Sequence, residues 1–361
     1  MRFSWRWWLS CGLIGISLAV WVPQPSSTAK ISRDRPLFQA QFNPGSFNAS
    51  GQFALVKTLD ESEQGHVGRI NDLAIGLDGK LLISASRDRT IKLWNLERRT
   101  LIATLAQDSK EIYSVAISPD GQTFASGSAD ETIKIWNLSV NGFDPNSEIP
   151  IASLQHTKKA HEFAVRSVAI APDGETLATG SPDKTIKLWN LATLDEIDIL
   201  KGHKSFVWAV TFSPDGRNLA SGSYDETVRI WNLDRGVRKR KLKGHEYPVL
   251  SVAFSPDGQI LASGSNNGSI KLWNIRTGEV ISTLARHTAA VFSLAFSPDG
   301  QILASGAADN TVKIWNPTNG AAIETLRGHL NPVTSVAFTP DAKTLVSGSA
   351  DRTIKIWQRG E

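Results

Sequence analysis

Along residues 211–232, TFSPDGRNLASGSYDETVRIWN, short apolar runs alternate with polar positions and are cut by Pro-Asp-Gly and by Tyr-Asp. Alternation at period two, broken by Gly, Pro and Asp, predicts short antiparallel strands joined by tight turns. The same pattern returns six more times, its copies ending at Trp94, Trp136, Trp189, Trp231, Trp273, Trp315 and Trp357. The steps between those tryptophans are 42, 53, 42, 42, 42 and 42 residues, a fixed period that means a repeat architecture. From Phe53 onward each unit offers an apolar run (Val280–Leu284 in one copy), a Gly-His or similar pair, then SVAFSPDG, LASGS, a turn Asp and TIKLW. That predicts four strands of four to seven residues per unit. One small twisted sheet cannot bury both of its faces alone. Neighbouring sheets must stack on it, and a twist repeated about an axis favours a closed ring.

The two ends of the pattern fit together. The chain stops just after the third-strand Trp357, so the last unit lacks its outermost strand, while 54–59 (ALVKTL) is an apolar-alternating run with no other strand ahead of it. We expect this run to complete the last sheet and leave no open edge.

Ahead of the repeats the pattern changes. Arg2 and Arg6 precede an apolar run over 7–22, Pro23 and Pro25 end it, and Ser27, Thr28 and Ala29 follow. A basic start, apolar middle and small-x-small exit read as a secretory signal peptide over 1–29. The alternative is a short membrane anchor through 7–22, which at 1.5 Å per residue reaches only about 24 Å. Either reading places the repeats across a membrane or tethers them to it. Residues 30–52 carry Pro, Gly, Gln, Asn and Ser without an apolar period and read as a flexible linker to the repeats at 53–361.

Composition narrows the function classes. The chain has 39 Lys and Arg against 35 Asp and Glu, a net charge of +4 that becomes +2 without 1–29. So small an excess gives no bulk drive towards nucleic acid. The single cysteine, Cys11, lies in the N-terminal apolar segment, so the repeats hold no disulfide, thiolate metal site or cysteine nucleophile.

With Gly-His, SPDG, LASGS and Trp-Asn repeated in register (Trp-Gln in the last copy), the units resemble WD40 repeats, where Trp-Asp is usual. The resemblance covers 53–361 and implies an all-β, seven-bladed propeller of four-stranded antiparallel blades. Five units carry a complete set of His, Ser or Thr, Asp and Trp: His66/Ser84/Asp88/Trp94, His161/Thr179/Asp183/Trp189, His203/Ser221/Asp225/Trp231, His287/Ser305/Asp309/Trp315 and His329/Ser347/Asp351/Trp357. Ser, His and Asp together suggest a hydrolase, but a catalytic triad is needed once, with an oxyanion hole and a pocket. Repetition favours a structural network, in which a buried indole N–H finds the hydroxyl as acceptor and the Asp accepts the imidazole N–H. The resemblance implies the same network. A ring spreads these histidines apart, which disfavours metal binding, and we expect no cofactor. Two units depart, with Asp108 at the His place of the second and Asn267 at the Asp place of the fifth. Asp108 beside Asp130 would bring two carboxylates together, raising one pKa or pushing the loop into solvent; we read it as drift in one blade.

The resemblance also implies that partners meet the rim carrying the loops into the first strand and the turn before the third. By register, the positions expected to be exposed there precede the turn Asp or lie three and five residues after the His. They include Arg69, Asn71, Arg87, Glu111, Tyr113, Arg166, Phe206, Trp208, Tyr224, Leu250 and Phe292, with Tyr247 in an adjacent loop. Aromatic residues and Arg are the usual interface anchors, so Trp208, Tyr224, Phe206, Tyr247, Phe292, Tyr113, Arg69, Arg87 and Arg166 form the candidate surface for a protein or peptide. The long 53-residue step places extra residues near 139–150 and 155–160, and 60–65 has a similar extension; both read as loops that could add specificity. The basic run 235–243 falls on an outermost strand, where charge deters edge pairing, so it does not argue for nucleic acid. The chain therefore reads as a non-catalytic protein-interaction scaffold, exported or membrane-tethered, touching a membrane only through an uncleaved N-terminal segment. A ligand-binding or enzymatic use of the central channel is the alternative, which a unique polar cluster breaking the repeat would signal; the repeats show none.

Overall fold

The computed structural model describes residues 51–105, 108–139, 151–234 and 238–360. Segments 1–29, most of 30–52, and 140–150 lie outside the described residues, and with them the expected signal peptide, linker and first half of the long insertion. Among the described residues the strands make seven antiparallel sheets of four strands each, and the only helical turn is the 3-10 turn Glu61–Glu63 within the 60–65 extension.

Blade four shows how the repeat folds. Val207–Phe212 is the inner strand, followed outward by Asn218–Ser223, Val228–Asn232 and Arg238–Leu242. The SPDG turn between the first two closes because Gly216 takes a φ of +71°, while Ser213 Oγ accepts the Asn218 N–H at 2.9 Å. The described part of the basic run, Arg238–Leu242, thus forms an outer strand, as its position predicts.

The core lies between blades. Ala178, Ile186 and Leu188 of blade three pack against Val207, Val210, Leu219 and Trp231 of blade four, and equivalent clusters recur around the molecule. The Gly of LASGS sits at this seam. A Cβ on Gly180 would lie 2.9 Å from Val207 Cγ1, so the backbone itself is the surface that the next blade's β-branched side chain meets. Inner strands contact their neighbours in order, and that of blade seven (Val333–Phe338) returns to that of blade one (Ile70–Ile75).

Closure follows the expectation, starting one residue earlier. Phe53–Leu59 pairs with Ile354–Arg359 from Phe53 opposite Arg359 to Leu59 opposite Ile354. The ring is thereby closed by strand pairing between the two ends of the repeat region. Leu59 is buried with Ile70, Ile354 and Ile356, so the closing strand also supplies core.

One expectation needs correction. The extra residues at 155–160 are not a loop: Ile151–Lys159 is a nine-residue outermost strand paired along Thr132–Ser139. The insertion here lengthens a hairpin ladder, which keeps its added backbone groups hydrogen-bonded.

A candidate binding site at the channel mouth

In six blades the ladder between inner and second strand slips at one place, the residue five after the His position. In blade one Ile70 pairs with Ser86 and Asp72 with Ala85, which leaves Asn71 as the extra residue. The same slip falls at Tyr113, Trp208, Leu250, Phe292 and Thr334. In blade three the ladder begins at Ser167, immediately after Arg166. A bulge bends its strand and re-aims the unpaired side chain. All seven of these residues line one cavity of about 210 Å³, one from each blade.

The ring is uneven in chemistry. The Arg166 guanidinium lies 4.0 Å from the ring centre of Tyr113 and 3.9 Å from that of Trp208, stacked between blades two and four. Tyr224 packs on Trp208 at 5.1 Å and on Phe206 at 5.8 Å, extending an aromatic shelf outward. Phe206 is 43% exposed and Tyr224 36%. Across the channel Arg69 reaches the Phe292 ring at 5.6 Å; the blade between them contributes only Thr334 to the ring.

Charge at the mouth is unbalanced. Glu111 pairs with Arg87 at 2.9 Å, while among the described residues neither Arg69 nor Arg166 has an ion-pair partner, and the Nε of each is buried with no acceptor. Burial lowers the pKa of both guanidinium groups, and for Arg69 the neighbouring Arg166 charge adds to it. Both remain cations at neutral pH, since arginine starts above 12. Burial raises the Tyr224 hydroxyl, against the pull of Arg166.

Deeper in the channel a second ring runs one residue further along. Ser114, Ser167, Ser293 and Ser335 each accept, on Oγ, the amide N–H of an inner-strand residue in the next blade (Val168, Val210, Val336 and Leu73) at 3.0–3.2 Å. Asp72 takes this place in blade one. Its Oδ2 accepts from Val115 N and Ser114 Oγ, and its Oδ1 from Leu73 N and Ser335 Oγ, so one carboxyl joins blades seven, one and two. Burial raises its pKa against the pull of those donors. Ser251 instead donates to Val291 O, and Ala209 offers nothing at the junction of blades four and five. Asp72 is thus a single polar residue that departs from the repeat at this position, with its carboxyl occupied by bonds to neighbouring blades. Aligning the residue six after each His position exposes it: Asp, four Ser in blades two, three, five and six, Ala in blade four and Ser in blade seven.

The His-containing sets form hydrogen-bonded chains. In blade one Trp94 Nε1 donates to Ser84 Oγ at 2.8 Å, His66 Nε2 meets the same oxygen at 2.8 Å, and His66 Nδ1 meets Asp88 at 2.8 Å. The sets around Trp189, Trp231, Trp315 and Trp357 repeat this at 2.7–3.0 Å. Burial lowers the pKa of His66, His203 and His287 against the pull of their Asp partners. Burial pushes Asp88 up, but bonds from His66 and Thr90 outweigh it and hold the carboxyl below its usual range. In the blades of His66, His203 and His287 the lowered pKa keeps the imidazole neutral at pH 7 beside its carboxylate.

The departures are resolved by neighbours. In blade two, Lys134 from the third strand bonds Asp108 and lies 3.8 Å from Asp130. A lysine therefore occupies the space left by histidine, and the two carboxyls split, with Asp108 raised by burial and Asp130 lowered by its bonds from Ser109 and Thr132 despite burial. In blade five, His245 Nε2 meets Ser263 Oγ at 2.7 Å, but its Nδ1 is buried without a partner, and burial lowers its pKa to about 4.

Of the candidate surface, Tyr113, Arg166, Phe206, Trp208 and Tyr224 come together, Arg69 and Phe292 meet on the far side, and Arg87 joins through Glu111. Tyr247 is 48% exposed and lines no part of the cavity. Leu250, expected to be exposed, is 2% exposed, because the bulge turns it inward against the channel wall.

Comparison with known proteins agrees with this architecture. The WD domain, G-beta repeat family matches residues 54–95, 99–137 and 320–358, and the IFT122 first beta-propeller family matches 150–317. Human transducin beta-like protein 3 is 33% identical over 159 residues, 42% of this chain and 20% of that protein. Small ribosomal subunit protein RACK1 of Schizosaccharomyces pombe is 33% identical over 134 residues, 37% of this chain and 41% of that protein. WD repeat-containing protein 3 homolog of Dictyostelium discoideum is 27% identical over 140 residues, 39% and 13%. Each match thus spans less than half the length of the relative.

Proposed function

We propose that this chain, which belongs to the WD40-repeat family of seven-bladed β-propellers, is a non-catalytic docking scaffold whose protein or peptide partner meets the channel mouth and its aromatic shelf. The observation that carries this reading is the cluster of Tyr113, Arg166, Trp208, Tyr224 and Phe206. Drawn from three successive blades, it combines rigid aromatic area with a cation whose Nε has no partner. Such residues dominate binding energy when a partner desolvates them. The Ser-His-Asp sets support the same reading from the other side. Ser84, Thr179, Ser221, Ser305 and Ser347 are fully buried, each already accepting an indole N–H, so none is open to a substrate.

The test is affinity capture from extract of the source cells with the full chain and with its Trp208→Ala/Tyr224→Ala version. Proteins held by the first and lost by the second support the site. Identical recoveries with a folded variant would refute it. The N-terminal segment carries a separate proposal of export by a cleaved signal peptide, with anchoring through 7–22 as the alternative. Sequencing the N-terminus of the mature protein decides it, since cleavage predicts a start near Lys30.

A further inference from the structure

The Arg166 guanidinium lies over two aromatic rings at once, 4.0 Å from the centre of Tyr113 and 3.9 Å from that of Trp208. Stacking orients a guanidinium and lowers the cost of burying it, and Tyr113 also bonds the Arg166 group through its side chain, which leaves Nε as the orphan donor. Nε is buried with no acceptor, and no carboxylate of the described residues pairs with the group. Arg69 is similar: its guanidinium carbon lies 5.6 Å from the Phe292 ring centre and its Nε is an orphan. Glu111, whose charge acts on both, is committed to Arg87. A buried donor left without an acceptor costs about 1–3 kcal/mol, more when the group is charged. Two such cations lining one cavity leave it short of negative charge.

We infer that the channel mouth takes a carboxylate side chain from an acidic peptide segment, received by the in-plane N–H groups of Arg166 with Arg69 as the second cation. A carboxylate matches that fork with two oxygens and one charge. A phosphate offers the same fork three acceptor oxygens and nearly two charges, so a phosphoserine peptide is the direct competitor. The aromatic shelf of Trp208, Tyr224 and Phe206 then receives the residues flanking the acid. This inference rests on the docking reading above and specifies its occupant.

The test uses the immobilised full chain to select from a random peptide display library. A selected peptide is then synthesised with its acidic residue intact, as the amide (Glu→Gln or Asp→Asn), and as phosphoserine. Peptides lost on Trp208→Ala are expected to carry an acidic residue, and the amide version to bind about tenfold more weakly or worse. Arg166→Lys, which keeps the charge and loses the fork, is expected to weaken the acidic peptide similarly, and Arg69→Gln to weaken it less. The amide comparison needs no protein variant and stands even if a substituted chain fails to fold. Cavity-bound peptides indifferent to the amide change would overturn the carboxylate while leaving docking in place, and so would tenfold tighter binding of the phosphoserine version. Peptides that bind equally well to a folded Trp208→Ala/Tyr224→Ala chain would overturn the docking reading as well.

Discussion

The guanidinium of Arg166 lies 3.9 Å from the centre of the Trp208 ring, and the two residues occupy the same register position in successive blades. Each stands where its inner strand departs from the regular ladder, so the contact is a product of the repeat's backbone rather than of either side chain alone. A rigid ring with a bulged inner edge offers one variable side chain per blade to a common cavity, and in this chain three successive positions are Tyr, Arg and Trp.

The break in blade five gives the first prediction. Asn267 accepts from Ser269 and leaves His245 Nδ1 without a partner, where five other blades have a carboxylate. Asn267→Asp is expected to stabilise the protein by about 1 kcal/mol, the usual net worth of a buried hydrogen bond. It is also expected to raise the His245 pKa from about 4. Urea denaturation and an NMR titration of the imidazole check the two effects.

Acid sensitivity follows from the same network. His66, His203, His245 and His287 have pKa values lowered by burial, His245 to about 4. Between those values and the ordinary value of about 6.5 the unfolded chain binds protons that the native state refuses, so stability is full above pH 6.5 and falls as pH drops below it. The lowered carboxyls of Asp88, Asp225 and Asp351 are buried but carry histidine bonds that outweigh burial. They contribute a further stabilisation, present above their unfolded value of 3.8 and lost as pH falls through the folded ones. Asp72 has the opposite sign: its raised carboxyl favours the native state at low pH and offsets part of the loss. Urea midpoints are expected to decline from pH 7 to 4 and more steeply below.

The deeper ring has its gap at Ala209, where blade four lacks the hydroxyl that four other blades use to accept a neighbouring amide. Ala209→Ser is expected to add about 0.5–1.5 kcal/mol. A higher urea midpoint at unchanged slope would show it.

Much of this fold is legible in the sequence because the repeat states it seven times. The tryptophan spacing counts the blades, and 54–59 has no place except beside the strand ending near Trp357. The hydrogen-bonded sets are equally legible, since a buried indole N–H demands an acceptor ten residues away in every copy. The channel mouth is only half legible. Aromatic and Arg residues mark it, but strand alternation alone cannot locate a bulge, so Leu250 reads as exposed when it faces inward. Lys134 is hidden for a different reason: lysine stands at its place in five other units, and only the missing histidine gives its ammonium a carboxyl to reach.

Closure predicts an all-or-none loss. Removing 53–60 exposes the edge of Ile354–Arg359 and strips Leu59 from the core shared by blades seven and one. The shortened chain is expected to lose cooperative unfolding and to associate through the freed edge. A change confined to a small drop in melting temperature, with a monomeric elution volume, would show that the strand is an accessory.

Docking at the channel mouth is measured most directly by titrating one captured partner into the wild-type chain and into the folded Trp208→Ala/Tyr224→Ala chain by calorimetry. Two desolvated aromatic anchors predict at least a tenfold rise in Kd, about 1.4 kcal/mol or more. An unchanged Kd would place the partner elsewhere on the propeller and contradict the account.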